Sequence, residues 1–306
     1  MKNALRARIS ENQAYIFVFI AMFFWAFSYL WLNETYAYLS PMAVLLARML
    51  LAVCFLGILS AVLKKLQKIR LKDWKYLVLM AFFEPFLYYI GESYGVKYTS
   101  PTTTAVMIAT IPIFMPMVGI LMIKEKLSLQ NFLGILLSFI GVIILIFNKN
   151  FELQLSAKGL LFLMLAIISA LGYTVILKKM ADIYNSYTIV FYQSLFGLFF
   201  FIPLYFSFFE NEFIEVQFNT SLVLYIVGLA VFSTSLAYVL FANAVRKLGA
   251  SKASVFANLI PVFTAFFAFV LGVEFFSLKK VIAILVIISG VFLSQYARKK
   301  RSTEKL

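Results

Sequence analysis

IPIFMPMVGILMIKEKLSLQNFLGILLSFIG, residues 111–141, returns 149 positions later as IPVFTAFFAFVLGVEFFSLKKVIAILVIISG, residues 260–290. No gap is needed to align them. Ile111-Pro112 meets Ile260-Pro261, Phe114 meets Phe263, Glu125 meets Glu274, and Ser128-Leu129 meets Ser277-Leu278. Ile135-Leu136 then meets Ile284-Leu285, and Gly141-Val142 meets Gly290-Val291. The same offset reaches back through the preceding segment, where Phe83, Leu87, Tyr89, Val96 and Lys97 meet Phe232, Leu236, Tyr238, Val245 and Arg246. Agreement of Leu with Ile is cheap in an apolar chain. Agreement of Pro, Glu and Gly in one frame is not, so the chain reads as a duplication with halves at 1–148 and 149–306.

The solvent of these halves follows from composition. The 306 residues are 63% hydrophobic and 13% charged, with a mean hydropathy of +0.96. A soluble domain is nearer half apolar and a quarter charged. The chain therefore reads as an all-α polytopic membrane protein. Ten stretches have the roughly 20-residue apolar length of a spanning helix: about 14–33, 41–63, 76–96, 100–123, 129–147, 157–177, 187–207, 221–245, 252–272 and 278–296. The first is long for a secretory leader and lacks a small-residue cleavage site, so it reads as a retained span. Ten spans as five plus five turn the second half upside down, the inverted-repeat plan of many secondary transporters.

The net charge of +14 would suggest nucleic acid in a soluble chain. Here the basic residues sit between apolar runs. With the N-terminus inside, 21 Lys and Arg fall in inner segments and five fall outside: Lys97, Lys149, Lys158, Lys279 and Lys280. That asymmetry places both termini in the cytoplasm. No nucleic-acid partner is expected. The expected location is a bacterial inner membrane.

Residues 82–95, FFEPFLYYIGESYG, set two carboxylates in an aromatic span. Glu84 falls near mid-membrane and Glu92 about 12 Å further along the helix. Tyr88 lies between them at helical spacing, so one face carries all three. Charged groups at this depth cost at least about 2.5 kcal/mol and face the bundle interior. Three readings remain open: Glu84 as a proton or substrate-amine site, the pair as structural anchors, or neutral hydrogen-bonded acids. Arg48 is the only basic residue well inside a span. Its depth matches Glu92, which predicts an Arg48–Glu92 pair and leaves Glu84 as the free carboxylate. Pro85, Pro112, Pro116 and Pro261 are expected to kink their helices and free backbone carbonyls. Gly91 and Gly95 form a GxxxG that permits close helix approach.

Trp25, Tyr29, Tyr88, Tyr173 and Tyr238 fall at cavity depth, as do Ser28, Thr103, Thr104, Asn243 and Asn258. Each is either a wall of a substrate site or packing. Asn258, three residues before Pro261, is expected to cap freed backbone. Glu125 and Glu274 fall at helix ends, where capping or pairing is expected.

Enzyme chemistry finds little to work with. The chain has no His and a single Cys, Cys54, and carries no P-loop or acidic metal cluster. No cofactor or metal is expected. A passive facilitator or exchanger of the same fold is the nearer rival to a coupled transporter.

The strings ARMLLA (47–52) and SALGYTVILKK (169–179), with the two blocks IP…KEKLS…G (111–141) and IP…VEFFS…G (260–290), resemble the EamA-type transporters of the drug/metabolite transporter superfamily. Trp25 in the first span also fits. The resemblance covers nearly the whole chain. It implies ten helices in an inverted 5+5 arrangement and a central cavity lined by spans 1, 3, 4, 6, 8 and 9. It implies a small organic substrate such as an amino acid, metabolite, nucleotide-sugar or drug, often exported and often exchanged for protons.

Overall fold

A computed structural model describes residues 10–114, 129–146, 156–208, 216, 219–275 and 277–303. Pro116 and Glu125 fall outside the described residues. No strand occurs among the described residues. The helices are α1 (Glu11–Thr35), α2 (Pro41–Val62), α3 (Trp74–Ala81), α4 (Tyr88–Tyr98), α5 (Pro101–Ile108), α6 (Leu129–Ile146) and α7 (Ala157–Ala181). They continue as α8 (Ser186–Phe208), α9 (Thr220–Gly228), α10 (Ala237–Leu248), α11 (Ala250–Val255), α12 (Leu259–Val270) and α13 (Leu278–Thr303).

Helix starts are written in the sequence as oxygen-bearing caps. Ser10 accepts from Gln13 N (3.1 Å), Ser40 from Ala43 N (3.3 Å), Ser100 from Thr103 N (3.2 Å) and Asn219 from Leu222 N (2.8 Å). Each satisfies one of the amides that a helix leaves unpaired at its first turn. Pro41 and Pro101 follow two of these caps at the first helical position, where a proline loses no hydrogen bond.

Among the described residues five helices are long and apolar enough to cross a membrane: Glu11–Thr35, Pro41–Val62, Ala157–Ala181, Ser186–Ser207 and Thr220–Leu248. Their outer faces expose large apolar side chains such as Ile58, Leu161, Phe199 and Leu224, as expected where the surrounding medium is hydrocarbon. The chain is an integral, multi-pass membrane protein.

Main helix packings join the two halves, and they are reciprocal under the 149-residue offset. Helix α1 packs on α10, and α4 packs on α7. The pairs α2 with α8 and α6 with α13 each join a helix to its own counterpart, and α5 packs on α12.

Two spans are broken at matching places. A π-type turn over Phe82–Leu87 joins α3 to α4, and another over Leu229–Leu236 joins α9 to α10. Subtracting 149 lays the last six residues of the second on the first. The kink expected at Pro85 is present. Glu84 departs from helical geometry (φ −147°, ψ 116°), because a residue before proline is pushed out of the helical region. The helical-face argument for Glu84, Tyr88 and Glu92 therefore does not hold at Glu84. The stretch expected at 252–272 is also interrupted, by a 3₁₀ turn over Phe256–Asn258 just before Pro261. Its counterpart in the first half ends α5 at Ile108, ahead of Pro112.

Candidate functional site

The two breaks meet at one cavity, which encloses about 660 Å³ of empty space, open solvent at its mouth included. Lining residues come from the first half (Trp25, Tyr29, Arg48, Glu84, Tyr88, Tyr89, Glu92) and the second (Tyr173, Ser233, Tyr238). Pro112 also reaches it, with Ser254 and Ile260 from α11 and α12. Pro261 is buried one residue beyond.

Glu84 is buried, 6% exposed, and the Tyr238 hydroxyl donates a hydrogen bond to its Oε1. The expected free carboxylate is thus held from the other half of the chain. Among the described residues no basic side chain forms an ion pair with it. Tyr238 in turn packs edge-on against Trp25 (5.1 Å between ring centroids) and Tyr173 (6.2 Å). Tyr173 donates to Gln193 Oε1 at 3.4 Å. Trp25 Nε1 donates to the carbonyl of Ser233 (3.2 Å), within the second break.

Arg48 and Glu92 form the second charged group. Arg48 Nη1 lies 3.7 Å from Glu92 Oε2, the pairing that their depth predicts. Arg48 is only 1% exposed. Its Nε donates to Thr234 Oγ1 at 2.9 Å and its Nη2 to Ser233 Oγ at 3.3 Å. Its Cζ sits 4.0 Å over the Tyr89 ring, a cation–π contact that a desolvated site strengthens. Tyr29 and Tyr88 turn their hydroxyls toward Glu92.

Other candidates lie away from these two groups. Ser28 Oγ donates to the Trp25 carbonyl (2.7 Å) and does not line the cavity. Thr103 and Thr104 belong to the polar cluster that starts α5. Asn243 bonds the Val239 carbonyl and accepts from Arg246. Asn258 makes no capping bond. Both its amide atoms are buried without a hydrogen-bond partner among the described residues, and a 3₁₀ turn over Phe256–Asn258 stands in place of the expected freed helix end. Glu274 does cap: its Oε1 accepts from Thr102 N at 2.9 Å, and its Oε2 pairs with Lys280 at 2.8 Å. Sequence reasoning passed over Ser233, Thr234 and Tyr89 as site residues. The offset could have found them, since Ser233 and Thr234 are the counterparts of Glu84 and Pro85.

A many-helix membrane protein with a buried, two-signed cavity at the junction of its halves belongs to the transporters. The sequence pattern of the EamA-like transporter family matches residues 12–147 and again residues 157–296. The chain belongs to that family. It is 27% identical over 253 residues to the uncharacterized transporter YetK of Bacillus subtilis (strain 168), covering 81% of this chain and 76% of YetK. An uncharacterized transporter of Archaeoglobus fulgidus is 26% identical over 287 residues, covering 93% of this chain and 98% of the relative. A solved structure titled "Crystal structure of protein" superposes with a TM-score of 0.68 at 16% identity, over 93% of this chain and 99% of that one. That likeness concerns the fold alone.

Proposed function

We propose that the chain is a secondary active transporter that moves a small, amine-bearing organic metabolite, such as an amino acid, by alternating access. One observation carries this reading. Glu84 is a buried acid without an ion-pair partner among the described residues, and aromatic walls surround it in a cavity shared by both halves. An ammonium group and a proton compete for such a carboxylate, and that competition couples their movements. Ten spanning helices in two inverted five-helix repeats, with both termini in the cytoplasm, fit the duplicated sequence and the reciprocal packing. Export from a bacterial cytoplasm is the direction the family resemblance supports. Pro85, Pro112 and Pro261, each at a helix interruption beside the cavity, are the candidate hinges.

The test is solute-driven proton movement in proteoliposomes loaded with a pH dye. Wild type, Glu84→Gln and Glu92→Gln are compared across a panel of amino acids and other metabolites. Glu84→Gln is expected to lose proton flux and keep solute exchange. Solute movement without proton flux in the wild type would make the protein a facilitator or exchanger. A protein that moves only phosphorylated or sugar solutes would refute the amine reading.

A further inference from the structure

Arg48 is held in place by more bonds than a charge-balancing partner needs, yet its bonding is incomplete. Nε and Nη2 are satisfied by Thr234 and Ser233. Tyr89 covers one flat face. Nη1 has no hydrogen-bond partner among the described residues. Glu92 at 3.7 Å balances charge but lies beyond hydrogen-bonding distance. A guanidinium this deeply buried suffers from an unmade bond, because no bulk water replaces it. With one face covered and Nε and Nη2 engaged, Nη1 is the donor left unbonded among the described residues, on a side chain that lines the cavity. A guanidinium N–H donates a charge-assisted hydrogen bond to a carboxylate.

We propose that Arg48 is the anion-recognising group of the cavity and that the transported solute carries a carboxylate bound at Nη1. This rests on the cavity being the transport site, and it narrows the substrate from amines in general to zwitterions. The competing account makes Arg48 a staple between α2 and the break before α10. A staple would be indifferent to whether the solute bears a carboxylate.

The experiment is isothermal titration calorimetry on the purified full-length protein in detergent. The probes are L-leucine, L-phenylalanine and L-lysine, each against its methyl ester, which keeps the ammonium and masks the carboxylate. For at least one pair, the free acid is expected to bind at least tenfold more tightly than the ester. Arg48→Lys, which keeps the charge and loses the planar fork, is expected to shrink that ratio below about threefold. The wild-type comparison stands even if the variant does not fold. Esters that bind as tightly as acids overturn the proposal, as does an unchanged ratio in a folded Arg48→Lys. Failure of every probe to bind also overturns it, together with the amine reading. Selective binding of acids with no solute movement in proteoliposomes would leave Arg48 as the anion site and remove the transport reading instead.

Discussion

Gly91→Ala should cost the protein more than any exchange of one hydrogen for a methyl group normally does. A Cβ at position 91 would lie 2.5 Å from the Phe162 carbonyl oxygen, 2.7 Å from Ala166 N and 3.0 Å from Ala166 Cβ. The first two are backbone atoms of α7 and cannot turn aside. Ordinary contact begins near 3.4 Å, so α4 and α7 must part by about 0.9 Å along that line. Overfilling a packed contact by one carbon costs about 1–3 kcal/mol. Membrane helices depend on such close approach, because no hydrophobic effect drives them together. The displacement also moves Glu92, the next residue, away from or across Arg48. Gly95→Ala is the control: its nearest neighbour is the terminal methyl of Leu163, a side chain that can adjust. Thermal unfolding of purified protein in detergent should therefore show a clear fall for Gly91→Ala and a smaller one for Gly95→Ala. An unchanged melting temperature for Gly91→Ala, or a larger fall for Gly95→Ala, would refute the reasoning.

Tyr238→Phe removes the donor that holds Glu84 and leaves a buried acceptor unsatisfied, a loss of about 1–3 kcal/mol. Proton flux driven by solute should drop at least about tenfold, while a drop no larger than that of a remote Tyr→Phe control would separate the pair from coupling. Just before α3, Arg70 and Tyr184 donate to Asp73 at 2.5 and 2.7 Å and hold its carboxyl below the usual range. A depressed carboxylate stabilises the fold above its ordinary value near 4 and loses that contribution as pH falls through the folded value. Wild type should thus melt above Asp73→Asn at neutral pH, with the gap closing below about pH 4; a gap independent of pH would contradict this. Glu274→Ala strips the cap from Thr102 N and the partner from Lys280. A loss of about 1 kcal/mol is expected, measured as a lower melting temperature than that of Lys280→Ala.

Much of this architecture is legible before folding is considered, and the reason is the solvent. Apolar runs of the right length announce helices that no soluble alternative could satisfy, and the offset of 149 announces the duplication. What the sequence hides lies at the irregularities. Pro85 declares its break. The matching break at Leu229–Leu236 holds no proline, only Ser233, Thr234 and Ser235, and Ser235 satisfies the Ala230 carbonyl there with its own hydroxyl at 2.7 Å. Helical spacing misplaces Glu84 because the residue before a proline leaves the helix. Asn258 looks like a cap, but the 3₁₀ turn leaves it nothing to cap. The Tyr238–Glu84 bond spans 154 positions, and no local pattern encodes a contact of that range.

The offset also explains why the cavity carries two signs of charge. The two halves share one shape: α2 packs against the break before α10, and α8 packs against the break before α4. At the position where α2 carries Arg48, α8 carries Gly197. Arg48 fits because the break it meets, Ser233-Thr234, offers two hydroxyl acceptors. Gly197 meets the counterpart of that pair, Glu84-Pro85, where even a Cβ would collide with the Pro85 ring. A guanidinium is therefore excluded at position 197 by volume alone. Glu84 is spared the ion pair that its counterpart position would otherwise supply. One duplicated geometry thus yields a guanidinium on hydroxyls at one break and, among the described residues, an acid without an ion-pair partner at the other. Divergence at Arg48/Gly197, Glu84/Ser233 and Pro85/Thr234 gives a duplicated scaffold two unlike breaks, one bearing a guanidinium and one an acid, as the proposed zwitterionic solute requires.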